Sequence, residues 1–406
     1  MLGGLVWIQV QGTGVVCFKI VTSDTLTNLF EEKMNDPRPP RQRISPTDMV
    51  RITARKLEDG DTSHRLLFGR VEFTGESLNV LYDVVLREDS NIKTLEFEDC
   101  LIEDGDLIQM LSRLKQYPQL AGIRFNHMLR TPIHAAALAT AMQEVWFKKI
   151  DVEYSMYGDD GARNIIDALR DCGVEFLNLA RTNLTAASAN YLSQTLMNYP
   201  TALKTLDLSR NAILSEGACC LATALPHTKL ECLLVNWNGI RDEGIAAICE
   251  AVIKTPSMRE LSLSRNRITN MSSIVKMLEQ SNLEHLHLNA SGIDRTSLHQ
   301  LAIGVKYSRT LHTLELKHCR QVDNPSVEQF LRIIGGHMTF KKLDLHESGV
   351  TEPYIIDVNE HINSLHGSRV HSLIALVAGK TIPRVGCRSL ITRLPLEMFR
   401  LVAGMV

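Results

Sequence analysis

Aromatic side chains make up only 5% of these 406 residues. Leu, Ile and Ala must therefore fill the interior, which suits a thin core. Neither charge sign dominates, with 44 Lys and Arg against 46 Asp and Glu. That removes any global electrostatic case for binding nucleic acid or an anionic membrane. No apolar run reaches 18 residues, so no membrane-spanning helix is expected. The opening Met1-Leu2-Gly3-Gly4-Leu5-Val6-Trp7-Ile8 lacks a basic stretch, and polar Gln9 and Gln11 soon interrupt it. It reads neither as a secretory signal nor as a mitochondrial presequence. The nine cysteines have no C-x-x-C and no paired spacing. Free thiols in a reducing, cytoplasmic setting are expected, and no zinc site. Chemistry is missing too. There is no phosphate-cradling glycine loop, no H-E-x-x-H and no G-x-S-x-G, so the sequence points to no catalytic residue and no cofactor.

What is present is a recurring phrase. Leu206-Asp207-Leu208-Ser209-Arg210-Asn211-Ala212-Ile213 returns as Leu233-Leu234-Val235 with Asn238 and Ile240, then as Leu261-Ser262-Leu263 with Asn266 and Ile268. An apolar residue stands three positions upstream of each (Leu203, Leu230, Met258). The frame predicts eleven copies whose strands begin at Val71, Leu95, Ile123, Ile150, Leu177, Leu206, Leu233, Leu261, Leu286, Leu314 and Leu343, in steps of 24 to 29 residues. The Asn position holds Cys100, Thr182, Ser291, Cys319 and Ser348 elsewhere. A short strand that turns buries backbone groups no ladder partner reaches, and an inward Asn offers them a donor and an acceptor. Each second half has helical spacing, as in Ala218, Leu221, Ala222 and Leu225, or Ile245, Ile248, Cys249 and Val252. Leu107, Met110, Leu111 and Leu114 follow the same rule, as do Ala135, Leu138, Ala139 and Met142. Gly161, Gly217 and Gly244 share one slot at the helix start.

These L-x-x-L-x-L-x-x-N-x-I phrases, over roughly residues 65–362, resemble the leucine-rich repeat family in its ribonuclease-inhibitor-like subtype. The resemblance implies an α/β solenoid, a horseshoe of about eleven repeats with parallel strands on the concave side and helices on the convex side. Three regions are expected. Residues 1–63 would hold a hairpin and helix cap (strands over 5–10 and 15–21 about Gly12-Thr13-Gly14, a helix over Asp24 to Met34) and a Pro/Arg-rich linker at 36–43. Residues 64–362 would form the solenoid, and 363–406 a helical C-terminal cap. Within that last region, Ser372 and Leu373 followed by Leu394, Pro395 and Leu396 resemble a SOCS box. Such a tail implies a substrate receptor that recruits elongins and a cullin ubiquitin ligase. Val377 and Glu397 depart from that pattern.

If the strands line the hollow, the middle residue of each L-x-L faces it: Glu96, Arg124, Asp151, Asn178, Asp207, Leu234, Ser262, His287, Glu315 and Asp344. Strand-end residues would join them, among them Tyr154, Arg181, Arg210, Trp237, Arg265, Lys317 and His318. Such a row, irregular on a regular frame, suits a protein partner. Arg210, Trp237 and Arg265 occupy equivalent positions in successive repeats and should form a stripe, with guanidinium stacked on indole. The partner-binding candidates are thus Asp207, Arg210, Leu234, Trp237, Arg265, His287, Glu315, Lys317, Tyr154 and Arg181. His285, His287, His312 and His318 read as solvated strand histidines and not as metal ligands. Glu103-Asp104-Gly105-Asp106 and Asp159-Asp160-Gly161 read as caps at helix N-termini. The expected function is a monomeric, non-enzymatic scaffold with no nucleic acid or membrane partner. The alternatives are the ubiquitin-ligase receptor and a Ran-type GTPase activator using Arg124 or Arg181.

Overall fold

The computed structural model describes residues 5–11, 15–21, 65–85 and 92–362, apart from positions 70, 336, 338 and 357. The expected helix over Asp24 to Met34, the linker at 36–43, and tail residues Ser372, Leu373, Leu394, Pro395 and Leu396 lie outside them. One sheet runs in strict chain order. It starts with β1 (Leu5–Gln11) and β2 (Val15–Val21), paired antiparallel with Leu5 opposite Val21. It continues in parallel through β3 (Arg65–Gly69), β4 (Thr94–Glu98), β5 (Gly122–Asn126), β6 (Lys149–Asp151), β7 (Phe176–Asn178) and β8 (Thr205–Asp207). β9 (Cys232–Leu234), β10 (Glu260–Ser262), β11 (His285–His287), β12 (Thr313–Glu315) and β13 (Lys342–Asp344) complete it.

From β3 onward, between consecutive strands, the chain crosses the outside as helices α1 (Gly75–Val80), α2 (Asp104–Arg113), α3 (Pro132–Glu144), α4 (Gly158–Ala168), α5 (Ala186–Asn198), α6 (Leu214–Ala224), α7 (Asp242–Ile253), α8 (Ser272–Gln280), α9 (Arg295–Tyr307) and α10 (Asn324–Ile334). A strand, turn and helix cannot bury an apolar face alone, so neighbouring repeats must supply it. The chain is therefore a leucine-rich repeat solenoid.

Ten of the eleven strand starts pair as the repeat frame predicts, including Ile123 with Ile150 and Ile150 with Leu177. The first does not. Leu66, five residues before Val71, pairs with Leu95. Val71 instead fills the turn position taken by Asn in the strong copies, and there it is buried. An apolar residue in the Asn slot looks like the start of a strand when the sequence alone is read.

The helical apolar sets all lie in the core, from Leu107, Met110, Leu111 and Leu114 to Ile245, Ile248, Cys249 and Val252. Aromatics are few but not peripheral. Phe68, Phe97 and Phe125 occupy equivalent strand positions and stack at 5.6 and 5.5 Å between centroids. Phe330 and Phe340 do similar work near the other end, at 6.0 Å. The early copies thus carry rings where the strong copies carry Leu208, Val235 and Leu263.

The shared glycine slot has a steric cause. A Cβ on Gly217 would fall 2.5 Å from Ile213 Cγ2 and 2.8 Å from Ala189 Cβ, because α6 lies hard against α5. Among the described residues no helix is long and apolar enough to cross a membrane.

Candidate functional site

The turn slot behaves as a lateral fastener. Asn211 Nδ2 donates to Leu179 O at 2.9 Å in the preceding repeat and to Leu208 O at 3.0 Å in its own. Its Oδ1 accepts from the Thr182 and Leu184 N–H groups, both at 3.0 Å. Asn238 and Asn266 repeat the pattern. The substituted slots keep part of it. Cys100 Sγ reaches Phe68 O at 3.4 Å, Cys319 Sγ reaches Leu288 O at 3.7 Å, and Ser291 Oγ reaches Leu263 O at 3.4 Å. Burial raises the thiol pKa of Cys319, and pushes that of core Cys249 to about 12.

Immediately before this slot comes one residue per repeat with a left-handed backbone: Asp99, His127, Tyr154, Arg181, Arg210, Trp237, Arg265, Ala290, His318 and Glu347, with φ between 51° and 62°. L-residues adopt that conformation at a cost, so something must enforce it. From Asp99 to His318 each of these N–H groups donates to a backbone carbonyl of the next repeat, as in Tyr154 to Ala180 (3.0 Å), Arg181 to Ser209 (2.9 Å), Arg210 to Asn236 (2.7 Å) and Trp237 to Ser264 (3.0 Å). The result is a straight ladder of side chains along the strand ends.

On that ladder the predicted stripe exists. Trp237 is 45% exposed and lies between two guanidinium groups, Arg210 at 5.2 Å and Arg265 at 4.6 Å from its ring. Arg181 covers the Tyr154 ring at 3.9 Å, and His127 meets that ring edge-on at 4.3 Å. Burial and the like charge of Arg210 both lower the Arg181 pKa. The ladder ends are neutralised internally, His127 with Asp99 at 2.7 Å and His318 with Glu347 at 3.0 Å.

The strand row beneath the ladder differs from expectation. Glu96, Asp151, Asn178, Ser262 and Asp344 are buried, not open to the hollow. Strands about 4.8 Å apart leave room for neighbouring side chains to close over them. Arg124 bridges Glu96 (3.9 Å) and Asp151 (3.3 Å). Burial raises the pKa of Asp151 despite Arg124 and that of Asp207 despite its bonds from Ser209; Glu153 rises through burial and both neighbouring aspartates.

His287 corrects the reading of solvated histidines. Its Nε2 lies 3.1 Å from Glu260 and its Nδ1 2.9 Å from Glu315, with the side chain only 19% exposed. Burial opposes protonation, but the two carboxylates raise the His287 pKa. Glu315 also holds Lys317 at 3.5 Å, and Lys317 holds Asp344 at 3.4 Å. His346 and Lys342 add to this lattice and hold Asp344 far below the usual carboxylate range although burial opposes it.

The candidates therefore fall into two groups. Tyr154, Arg181, Arg210, Trp237 and Arg265 share the ladder, with Asp207 and Leu234 on the strands below. His287, Glu315 and Lys317 belong to a separate ion-pair lattice further along the sheet. His127 and Glu260, which the sequence reading missed, complete the two groups. A fixed offset of four from each strand-leading residue would have found His127. The acidic clusters do stand at helix N-termini, with Asp104 and Asp106 in the first turn of α2 and Asp159 and Asp160 in that of α4, but not all by side-chain capping of their own helix. Glu103 makes no side-chain cap bond, while Asp159 reaches sideways to Thr185 N (2.9 Å), Thr185 Oγ1 (2.6 Å) and Ser188 Oγ in the next repeat. Among the described residues no group of three or more His, Cys, Asp or Glu could hold a metal ion.

The Leucine Rich repeat family matches residues 199–222 and 227–249. Mouse ribonuclease inhibitor is 28% identical over 207 residues, covering 49% of this chain and 44% of its own. Human NACHT, LRR and PYD domains-containing protein 13 is 22% identical over 250 residues, covering 59% and 24%. The chain thus spans under half the length of these curated relatives. The solved yeast complex of Rad7 and Elc1 aligns with a TM-score of 0.44 at 14% identity, over 75% of this chain and 84% of that one. The chain is a leucine-rich repeat protein of the ribonuclease-inhibitor-like subtype.

Proposed function

We propose that the chain is a non-enzymatic scaffold, a cytoplasmic monomer that grips a partner protein through its strand-end ladder and the strand row below. The Arg210–Trp237–Arg265 sandwich carries this reading. Trp and Arg are the residue types that dominate binding hot spots. Stacking already fixes these three, so less side-chain freedom is lost on association. Capture of partners by the wild-type chain and by Trp237→Ala tests the role. Loss of a specific protein from the variant is expected, with an unchanged circular dichroism melt. An unchanged partner set would move the site off the ladder.

The ligase-receptor reading rests on Ser372, Leu373, Leu394, Pro395 and Leu396 alone. Elongin retained by the full chain, but not by one ending near residue 366, is the outcome it requires. A GTPase activator would need an arginine free to reach a nucleotide. Arg124 is tied between two carboxylates and Arg181 lies over Tyr154, which disfavours that role.

A further inference from the structure

We infer that the ladder segment from Tyr154 to Arg265 recognises an extended acidic segment of a partner protein, with Arg181, Arg210 and Arg265 taking its carboxylates. The inference rests on the scaffold reading and gives the partner a chemistry.

The main observation is a difference within one structural slot. At the ladder's ends the charges cancel in the Asp99–His127 and His318–Glu347 pairs. On the strand row, Arg65 and Arg124 are neutralised by Glu96 and Asp151. The three central arginines have no such counterpart. Among the described residues, the side chains of Arg181, Arg210 and Arg265 form no ion pair and no hydrogen bond, and each lies against an aromatic ring. Glu153 is near enough to act on Arg181 through its charge, but forms no ion pair with it. Stacking leaves the edge of a guanidinium free, and that edge carries the forked N–H donors that bind carboxylates two at a time. The ladder therefore presents three preoriented cationic forks with their donors unspent.

Spacing fits an extended chain laid across the repeats. From Arg181 to Arg265 the ladder crosses three strand steps, about 14 Å at ~4.8 Å each. An extended peptide covers that length in about four residues, with same-side residues about 6.8 Å apart. From Arg181 the forks of Arg210 and Arg265 lie about 5 and 14 Å along the ladder, and acidic residues at alternate positions fall at about 7 and 14 Å, within about 2 Å of each. A nucleic acid offers phosphates to the same forks, but sequence-tolerant strand binding relies on bases stacking on exposed ring faces. Here Trp237 already carries two guanidinium groups at 5.2 and 4.6 Å, and Tyr154 carries Arg181 at 3.9 Å with His127 edge-on at 4.3 Å. A base would have to displace a guanidinium from its ring, whereas carboxylates need only the free guanidinium edges, so a peptide is favoured.

The test selects displayed random dodecapeptides on the immobilised full chain. Three proteins are compared: wild type, the triple variant Arg181→Gln, Arg210→Gln and Arg265→Gln, and a helix-side control with Arg163→Gln, Arg295→Gln and Arg332→Gln. Wild type and control should enrich Asp and Glu at alternate positions, and the triple variant should not. A synthetic copy of the leading peptide should bind Arg210→Lys about tenfold more weakly than wild type, because the charge stays while the fork is lost. This single variant keeps the test decisive should the triple variant misfold. Neutral or basic peptides, no enrichment, acidic peptides held equally by the triple variant, or displacement by a 12-nucleotide single strand would each overturn the inference. Neutral peptides lost with Trp237→Ala but indifferent to the arginines would leave the scaffold role standing, so the two failures are distinguishable.

Discussion

A single turn position decides much of the lateral cohesion. Asn238 is buried and serves three backbone groups, donating to Leu208 O and Asn236 O and accepting from Ile213 N–H. Asn238→Ala removes all three bonds where water cannot replace them, and should destabilise the fold by about 3 kcal/mol in urea titrations. Cys100→Ala in the equivalent slot should cost about 1 kcal/mol, since a thiol is a weak donor and its bonds there are long. That an Asn was needed at this slot was legible in the sequence. Which carbonyls it would serve was not, because half of them belong to the neighbouring repeat. The left-handed ladder residue just before the slot was hidden as well. Asp, His, Tyr, Arg, Trp and Ala share no property that announces such a backbone, and from Asp99 to His318 the bond to the next repeat accompanies it.

Between elements, close approach outweighs intrinsic preference. In an exposed helix, Gly→Ala gains roughly 1 kcal/mol. At Gly217 the new methyl would meet Ile213 and Ala189 below 3.0 Å, so overpacking of about 1–3 kcal/mol reverses the sign. Gly217→Ala should therefore lower the melting temperature. The His287 bridge joins β10, β11 and β12, and its contribution should depend on pH. Folding raises the His287 pKa above 6.5, so the contribution is complete below that value and fades as pH rises through the folded value. Folding lowers Glu260 and Glu315, so their share holds above 4.5 and fades as pH falls through their folded values. His287→Gln should thus cost most between about pH 5 and 6.5, on the order of 1–2 kcal/mol, and progressively less in more alkaline buffer. Thermal melts of both proteins across that range check the sign.

At the scale of the whole molecule, each repeat leans only on its neighbours, so cooperativity is passed along the chain and is not shared through one central core. Leu233 is fully buried in β9, near the middle of the solenoid. Leu233→Ala should remove about 3 kcal/mol locally. Because the two flanks can then unfold separately, the urea transition should broaden, and helix signal and Trp237 fluorescence should cease to coincide. A single sharp transition with coincident probes would show that coupling between repeats exceeds this loss.

The sequence by itself determined the period, the order of strand, turn and helix, the apolar positions that form the core, and ten of the eleven strand registers. Those properties are local: a strand alternates, a helix repeats every 3.6 residues, and a short motif encodes both. The tertiary structure alone decided that Leu66 leads the first repeat, that Asp159 caps a neighbour's helix, that Glu96 and Asp344 are closed over, and that His287 bridges two carboxylates. It also decided which arginines keep their donors free. Each of these joins residues about 27 positions apart through stacking of whole repeats, and rotamer and charge pairing across that gap have no signature within a single copy of the motif.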